Sequence, residues 1–232
     1  TYDDFGNRLT KTDSSGTTEY VYDDNDRLEK EIKNGSVVTC TYDDNGNMLT
    51  KSDGTETIFY NYDYENRLVF MQDSDSATEY SYDADGIRVR SVTDGVVTDY
   101  VVDKNRAYAQ VLEERNDAGS LTVSYVYGDN LISQKRGGSV SYHHFVGLGS
   151  TRALTDASGN VTDTYIYEAF GGLIEHIGTS GNKYLFTTEQ YDPDAGFCYL
   201  RARYYNPGNG RFVSSDSWEG SYPDPRGGGW KD

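Results

Sequence analysis

The chain has 232 residues, and 38 Asp and Glu against 21 Lys and Arg give it a net charge of −17. So acidic a chain repels nucleic acid and anionic membranes, because phosphate recognition needs clustered Lys and Arg. It contains no apolar run of about 18 residues that would span a bilayer.

Tyrosine dominates the apolar residues, with 22 Tyr against 8 Phe and 2 Trp. Tyr, Thr and Val suit pleated, half-buried surfaces, so the composition predicts an all-β protein. Cys40 and Cys198 do not make a disulfide framework; they read as free thiols, with a single bridge left open. The opening residues "TYDDFGNRLT" hold neither an initiator Met nor an apolar leader, and they already lie inside a repeat. The sequence therefore reads as part of a longer chain, with any export signal upstream.

The first hundred residues repeat. Tyr-Asp recurs at Tyr2, Tyr22, Tyr42, Tyr62 and Tyr82, twenty residues apart each time, and Val102-Asp103 continues the register. A second Tyr stands two residues before, at Tyr20, Tyr60, Tyr80 and Tyr100, with Cys40 in the remaining place. Residues two apart on a strand share a face, so these rings form one row. Residues 1–40 match 41–80 at 17 of 40 positions, whereas 1–20 match 21–40 at only 3 of 20. The building unit is therefore a pair of repeats.

Two turn types alternate within that pair. "DDFGN", "DDNGN" and "DADGI" precede Leu9, Leu49 and Val89, seven residues after the Tyr, while "DDND" and "DYEN" precede Leu28 and Leu68, six residues after it. The spacing predicts a turn one residue longer in every other repeat. Asp opens each turn because its carboxylate can accept backbone N–H groups two residues on, and Gly supplies positive φ. "KTDSSG", "KNGS", "KSDG", "TDGV" and "DASGN" make the opposite turns. The acids recur with the turns rather than as a cation-binding set, and they lack the closing Glu of a helix-loop-helix calcium loop. "AYAQVLEERND" is the best helical candidate but suits a strand equally. The predicted fold is a strip of short antiparallel hairpins, each burying its face only when stacked on the next.

Two further segments carry a resemblance. "YHHFVGLGSTRALTDASGNVTDTYIYEAFG" runs from Tyr142 to Gly171, and "FTTEQYDPDAGFCYLRARYYNPGNGRFVSSDSW" from Phe186 to Trp218. With the period-twenty YD pattern before them, they resemble the YD repeats and repeat-associated core of RHS proteins, in the family's order. The resemblance implies a β-sheet strip spiralling into a hollow shell, followed by a variable C-terminal region that is often a toxin. Insecticidal toxin-complex subunits, contact-dependent toxins and animal teneurins belong to that family. The expected divisions are YD repeats over 1–110, degenerate repeats over 111–185, the core signature over 186–218 and a Gly/Pro-rich tail or linker over 219–232.

In self-cleaving members of the family, an Asp at the place of Asp216 and a second acid further on act as an aspartyl-protease-like pair. This makes Asp216 the candidate catalytic acid and Arg211 the candidate residue that orients a carboxylate or carbonyl. The chain departs from many relatives in carrying Val146 before "GLGST" and Ser217 after Asp216. Asp224 lies nearer than the family's second acid, and that role is not carried onto it.

Other motifs read as structure. "RARYY" places Arg201 and Arg203 on one strand face, stacked on Tyr rings. Adjacent His143 and His144 point to opposite faces, unlike metal ligands. "GLGST" lacks the Lys of a phosphate loop and reads as a tight turn. No cofactor or metal is expected. The expected role is a C-terminal shell segment of a secreted or cell-surface protein that encloses or presents an effector. Its partners are then the neighbouring parts of the same chain and that effector. The alternative is a structural adhesin or fibre module that contacts glycans or neighbouring copies.

Overall fold

The computed structural model describes residues 1–216; the tail with Asp224 lies outside the described residues, as does the end of the core signature. Two compact units make up the chain, residues 1–77 with the segment from Val213 onward, and residues 78–212.

The first unit holds β1 (Thr10–Asp13), β2 (Gly16–Tyr22), β3 (Leu28–Lys33), β4 (Ser36–Tyr42), β5 (Met48–Ser52), β6 (Thr57–Tyr62) and β7 (Leu68–Gln72). Each pairs antiparallel with the next in chain order. The inner row of rings is as the period predicts: Tyr20 and Tyr60 are 6% and 1% exposed, and Cys40 fills the same place at 7%.

The turns differ from expectation. Asp3, Asp23, Asp43 and Asp63 close turns of one length: each donates its N–H to the carbonyl four residues on and accepts at its own carbonyl from the residue three on. The third turn residue beyond Asp has positive φ in every case, at Gly6, Asp26, Gly46 and Asn66. No turn is longer. A β-bulge instead opposes Tyr22 to Leu28, Tyr42 to Met48 and Tyr62 to Leu68, and skips residues 29, 49 and 69. A bulge leaves one residue unpaired and so shifts which side chain faces inward. The inward slot lies six residues after the Tyr in every repeat, and Arg8, Leu28, Met48 and Leu68 are all buried there. Leu9 and Leu49, which mark the seven-residue spacing in the sequence, are 38% and 37% exposed.

Chemistry, not length, creates the forty-residue period. In one turn Asn7 donates to Asp3 at 2.9 Å and to Asp26 of the following turn at 2.8 Å. In the next, Arg27 pairs with Asp23 at 2.6 Å and donates to the Asp43 carbonyl at 3.1 Å. Asn47 then repeats the first pattern, to Asp43 and Asn66. The first three turns each clasp their successor, through an amide and a guanidinium alternately.

The second unit continues the hairpins with β8 (Ala77–Tyr82), β9 (Arg88–Thr93), β10 (Val96–Asp103), β11 (Gln110–Arg115), β12 (Leu121–Tyr127), β13 (Leu131–Arg136), β14 (Ser139–Phe145), β15 (Thr151–Thr155), β16 (Val161–Tyr167) and β17 (Leu173–Ile177). The candidate helix is the strand β11. After a 3-10 turn at Phe186–Thr188, a separate four-stranded antiparallel sheet follows: β18 (Gln190–Asp192), β19 (Phe197–Tyr199), β20 (Tyr204–Asn206) and β21 (Arg211–Phe212). The protein is thus all-β, built from sequential antiparallel hairpins as expected. Among the described residues no helix is long and apolar enough to cross a membrane.

Candidate functional site

The inward slot of the third repeat pair holds Arg88, at the start of β9. Where three of the other repeats place Leu or Met, this guanidinium is 2% exposed. A charge removed from water at such a place is costly unless it is paired and hydrogen-bonded. The four-stranded sheet supplies the partners: Arg88 donates to Asp192 at 2.6 Å, Tyr204 at 2.9 Å and Gln190 at 2.8 Å. Its backbone N–H donates to the Tyr199 hydroxyl at 2.8 Å. The rings of Tyr199, Tyr100, Tyr80 and Tyr204 lie 4.4, 5.0, 5.4 and 5.8 Å from the guanidinium carbon, within cation–π range. Burial alone would lower the pKa of Arg88, but Tyr204, Tyr100 and Asp192 around it raise it well above the ordinary value, so it stays charged. Three strands of the core sheet therefore converge on one residue of β9.

Glu114 on β11 makes a second anchor. It is 2% exposed and accepts from Tyr125 at 2.6 Å and from Lys183 at 3.2 Å, with Arg136 at 3.6 Å. Burial would raise its pKa, but Lys183 and Arg136 hold it below the ordinary carboxylate range. The segment before the core is thereby tied to the hairpins. "GLGST" forms the expected tight turn, and it also grips the core: the Ser150 hydroxyl accepts from the Thr187 N–H at 3.0 Å, and Thr188 donates to the Gly149 carbonyl. Thr187 and Thr188 have φ of 51° and 58°, a conformation that β-branched residues hold only when neighbours enforce it.

The residues singled out by sequence fall as follows. Arg211, half-buried on β21, pairs in the ladder with Asn206, and its N–H donates to the Asn209 side chain at 3.2 Å. Asp216 is half-buried at the end of the described residues, in the first unit. "RARYY" is not a strand until Tyr204: Arg201 has φ of 63°, so Arg201 and Arg203 do not alternate across a pleat. Arg201 pairs with Glu189 at 2.9 Å and lies 5.3 Å from the Tyr108 ring, while Arg203 lies 3.7 Å from that of Phe212. His143 is buried and His144 exposed, as alternation requires. Cys40 and Cys198 are both free and buried, and burial pushes their thiols up to about 11 and about 12.

Sequence reasoning missed Arg88 and its partners. The signal was present: Arg8 and Arg88 stand where Leu28, Met48 and Leu68 stand in the other repeats.

Residues 5–104 match the Teneurin YD-shell family. Over 144 residues, 60% of this chain, the sequence is 35% identical to the tRNA3(Ser)-specific nuclease WapA of Bacillus spizizenii and covers 6% of its length. It is 33% identical to the tRNA nuclease WapA of Bacillus subtilis over the same shares. The chain thus spans only a small part of the curated relatives it matches. The crystal structure of TcdB2-TccC3-Cdc42 shares the fold with a TM-score of 0.53 at 15% identity, over 96% of this chain and 16% of that one. Over its repeats, residues 5–104, the chain is thus similar to the YD-shell family, and as a whole it shares the fold of that crystal structure.

Proposed function

We propose that this chain is the C-terminal shell segment of a longer exported protein, whose wall encloses or presents a C-terminal effector region. The observation that carries the reading is the buried Arg88–Asp192 pair. It fastens the core segment to the hairpin strand β9. A module that served only as an extended fibre has no need for a polypeptide segment locked onto its strands by a desolvated charge. The much longer nuclease relatives support an effector carried elsewhere in the parent chain.

Asp216 is the proposed acid of a self-cleavage that separates effector from shell. Paired with a second carboxyl beyond the described residues, it would share one proton. The ionised carboxylate takes a proton from water as the water oxygen bonds to the scissile carbonyl carbon. The protonated partner gives its proton to the amide nitrogen as the C–N bond breaks, leaving a new carboxyl and a new amine. Arg211 would orient the carbonyl through its N–H donors.

The test is to express the intact parent and its Asp216→Asn variant and compare them on a denaturing gel. Two fragments from the wild type and one full-length band from the variant are expected. Identical single full-length bands would overturn the self-cleavage reading and favour an adhesin without cargo.

A further inference from the structure

The first and second repeat pairs differ in one place that the repeat itself does not explain. The turn at Gly6 has φ of 89° and nothing within 4 Å of where a Cβ would stand. The turn at Gly46, with φ of 80°, has the same backbone, yet a Cβ there would lie 2.0 Å from Ser215 Oγ and 3.2 Å from Ser215 Cβ. Two residues on, the Met48 N–H donates to the Val213 carbonyl at 2.9 Å. The Tyr62 hydroxyl reaches that same carbonyl at 3.4 Å. Val213 and Ser214 are 1% and 7% exposed. The contacts 48 to 213 and 46 to 215 run antiparallel, and Asp216 is the next residue of the segment they hold. Phe5 stands where the second copy has Asn45, and among the described residues none lies within 4 Å of a Cβ on Gly6.

We propose that the turn Asn45–Met48 is a seat that positions Asp216 for self-cleavage, with Gly46 the positioning residue that permits the close approach. The inference rests on the self-cleavage reading of Asp216. It adds a part of the machinery some 170 residues away in sequence (216 minus 46). The seat works through backbone: one N–H holds the Val213 carbonyl, and the missing Cβ lets Ser215 lie against the turn. An added Cβ can turn the Ser215 hydroxyl aside, but relieving the 3.2 Å contact with Ser215 Cβ requires the segment itself to move. The shift needed is about a few tenths of an ångström; since a displacement of about 1 Å at a reacting group costs up to about a hundredfold in rate, a several-fold loss follows.

The experiment follows the appearance of cleavage product with time in the intact parent, for wild type, Gly46→Ala, Gly6→Ala and Gly46→Ala/Ser215→Gly. Gly6→Ala places the same backbone strain in the same kind of turn without the Ser215 contact, and so controls for lost stability. The expected result is cleavage slowed about three- to tenfold by Gly46→Ala, little slowed by Gly6→Ala, and largely restored in the double variant. Equal rates for Gly46→Ala and Gly6→Ala, or no rescue by Ser215→Gly, overturn this inference alone. A wild-type parent that is never cut overturns the self-cleavage reading and the inference with it.

Discussion

Replacing Arg88 by Leu puts into the inward slot the residue that two sister repeats already carry there, Leu28 and Leu68. Packing is therefore not the main loss. The loss is electrostatic: Asp192, 6% exposed, keeps its carboxylate without the cation 2.6 Å away, while Gln190 and Tyr204 each lose a bond. Removing one member of a buried ion pair costs about 3–5 kcal/mol, because the remaining charge is uncompensated. Arg88→Leu should lower the urea stability of the protein by that amount. Asp192→Asn alone should cost a similar amount, since it strands the guanidinium. The double variant Arg88→Leu/Asp192→Asn should be less destabilised than the sum of the two by about 2–3 kcal/mol, the coupling of residues in direct contact. Equilibrium urea denaturation of all four proteins reads the cycle. A cost below about 1 kcal/mol for Arg88→Leu, or additivity within about 0.5 kcal/mol, refutes the argument that this pair fastens the core.

Three other outcomes are expected. Leu28→Ala should cost about 2–5 kcal/mol whereas Leu9→Ala costs under about 1, because only the former lies in the inward slot; equal costs in thermal melts would contradict the bulge register. Burial, with His144 beside it, pulls the His143 pKa from 6.5 down to about 4. The unfolded chain then binds the proton below about pH 6.5 and the folded chain only near 4, so stability is flat above that window and falls by up to about 3 kcal/mol as pH drops through it. His143→Phe should flatten that slope in urea titrations at stepped pH, and an unchanged slope would assign it elsewhere. Among the described residues no His, Cys, Asp and Glu group is arranged to hold a metal ion, so EDTA should leave the melting temperature unchanged; a large drop would restore the acidic turns as ligands.

Much of the wall was legible from local pattern. The row of Tyr20, Cys40, Tyr60, Tyr80 and Tyr100 follows from period-two alternation alone, because a pleat fixes which residues share a face. Asp3, Asp23, Asp43 and Asp63 as turn openers follow from the reach of a short carboxylate. The alternating turn length did not survive, for a definite reason. Counting to the first aliphatic residue finds Leu9 and Leu49, but the bulge skips residue 49 and turns the residue before it inward. Once counted through the bulge, Arg88 stands out as a charge in a Leu place. Its partners Asp192 and Tyr204 lie more than a hundred residues away, and no local pattern links them to it. "RARYY" misled because a left-handed Arg201 is a property of its surroundings, not of its own sequence. Asp216 was singled out by family resemblance alone, whereas the approach of Ser215 to Gly46 shows only in the fold.

The claim that this wall encloses the parent's C-terminal region is tested most directly by protease protection. The intact wild-type parent and its Arg88→Leu variant are treated with a broad-specificity protease, and fragments from beyond residue 232 are followed by mass spectrometry. The account predicts that this region survives in the wild type and is digested once Arg88 no longer fastens the core. Digestion in the wild type at the rate seen for the same region expressed alone would contradict it.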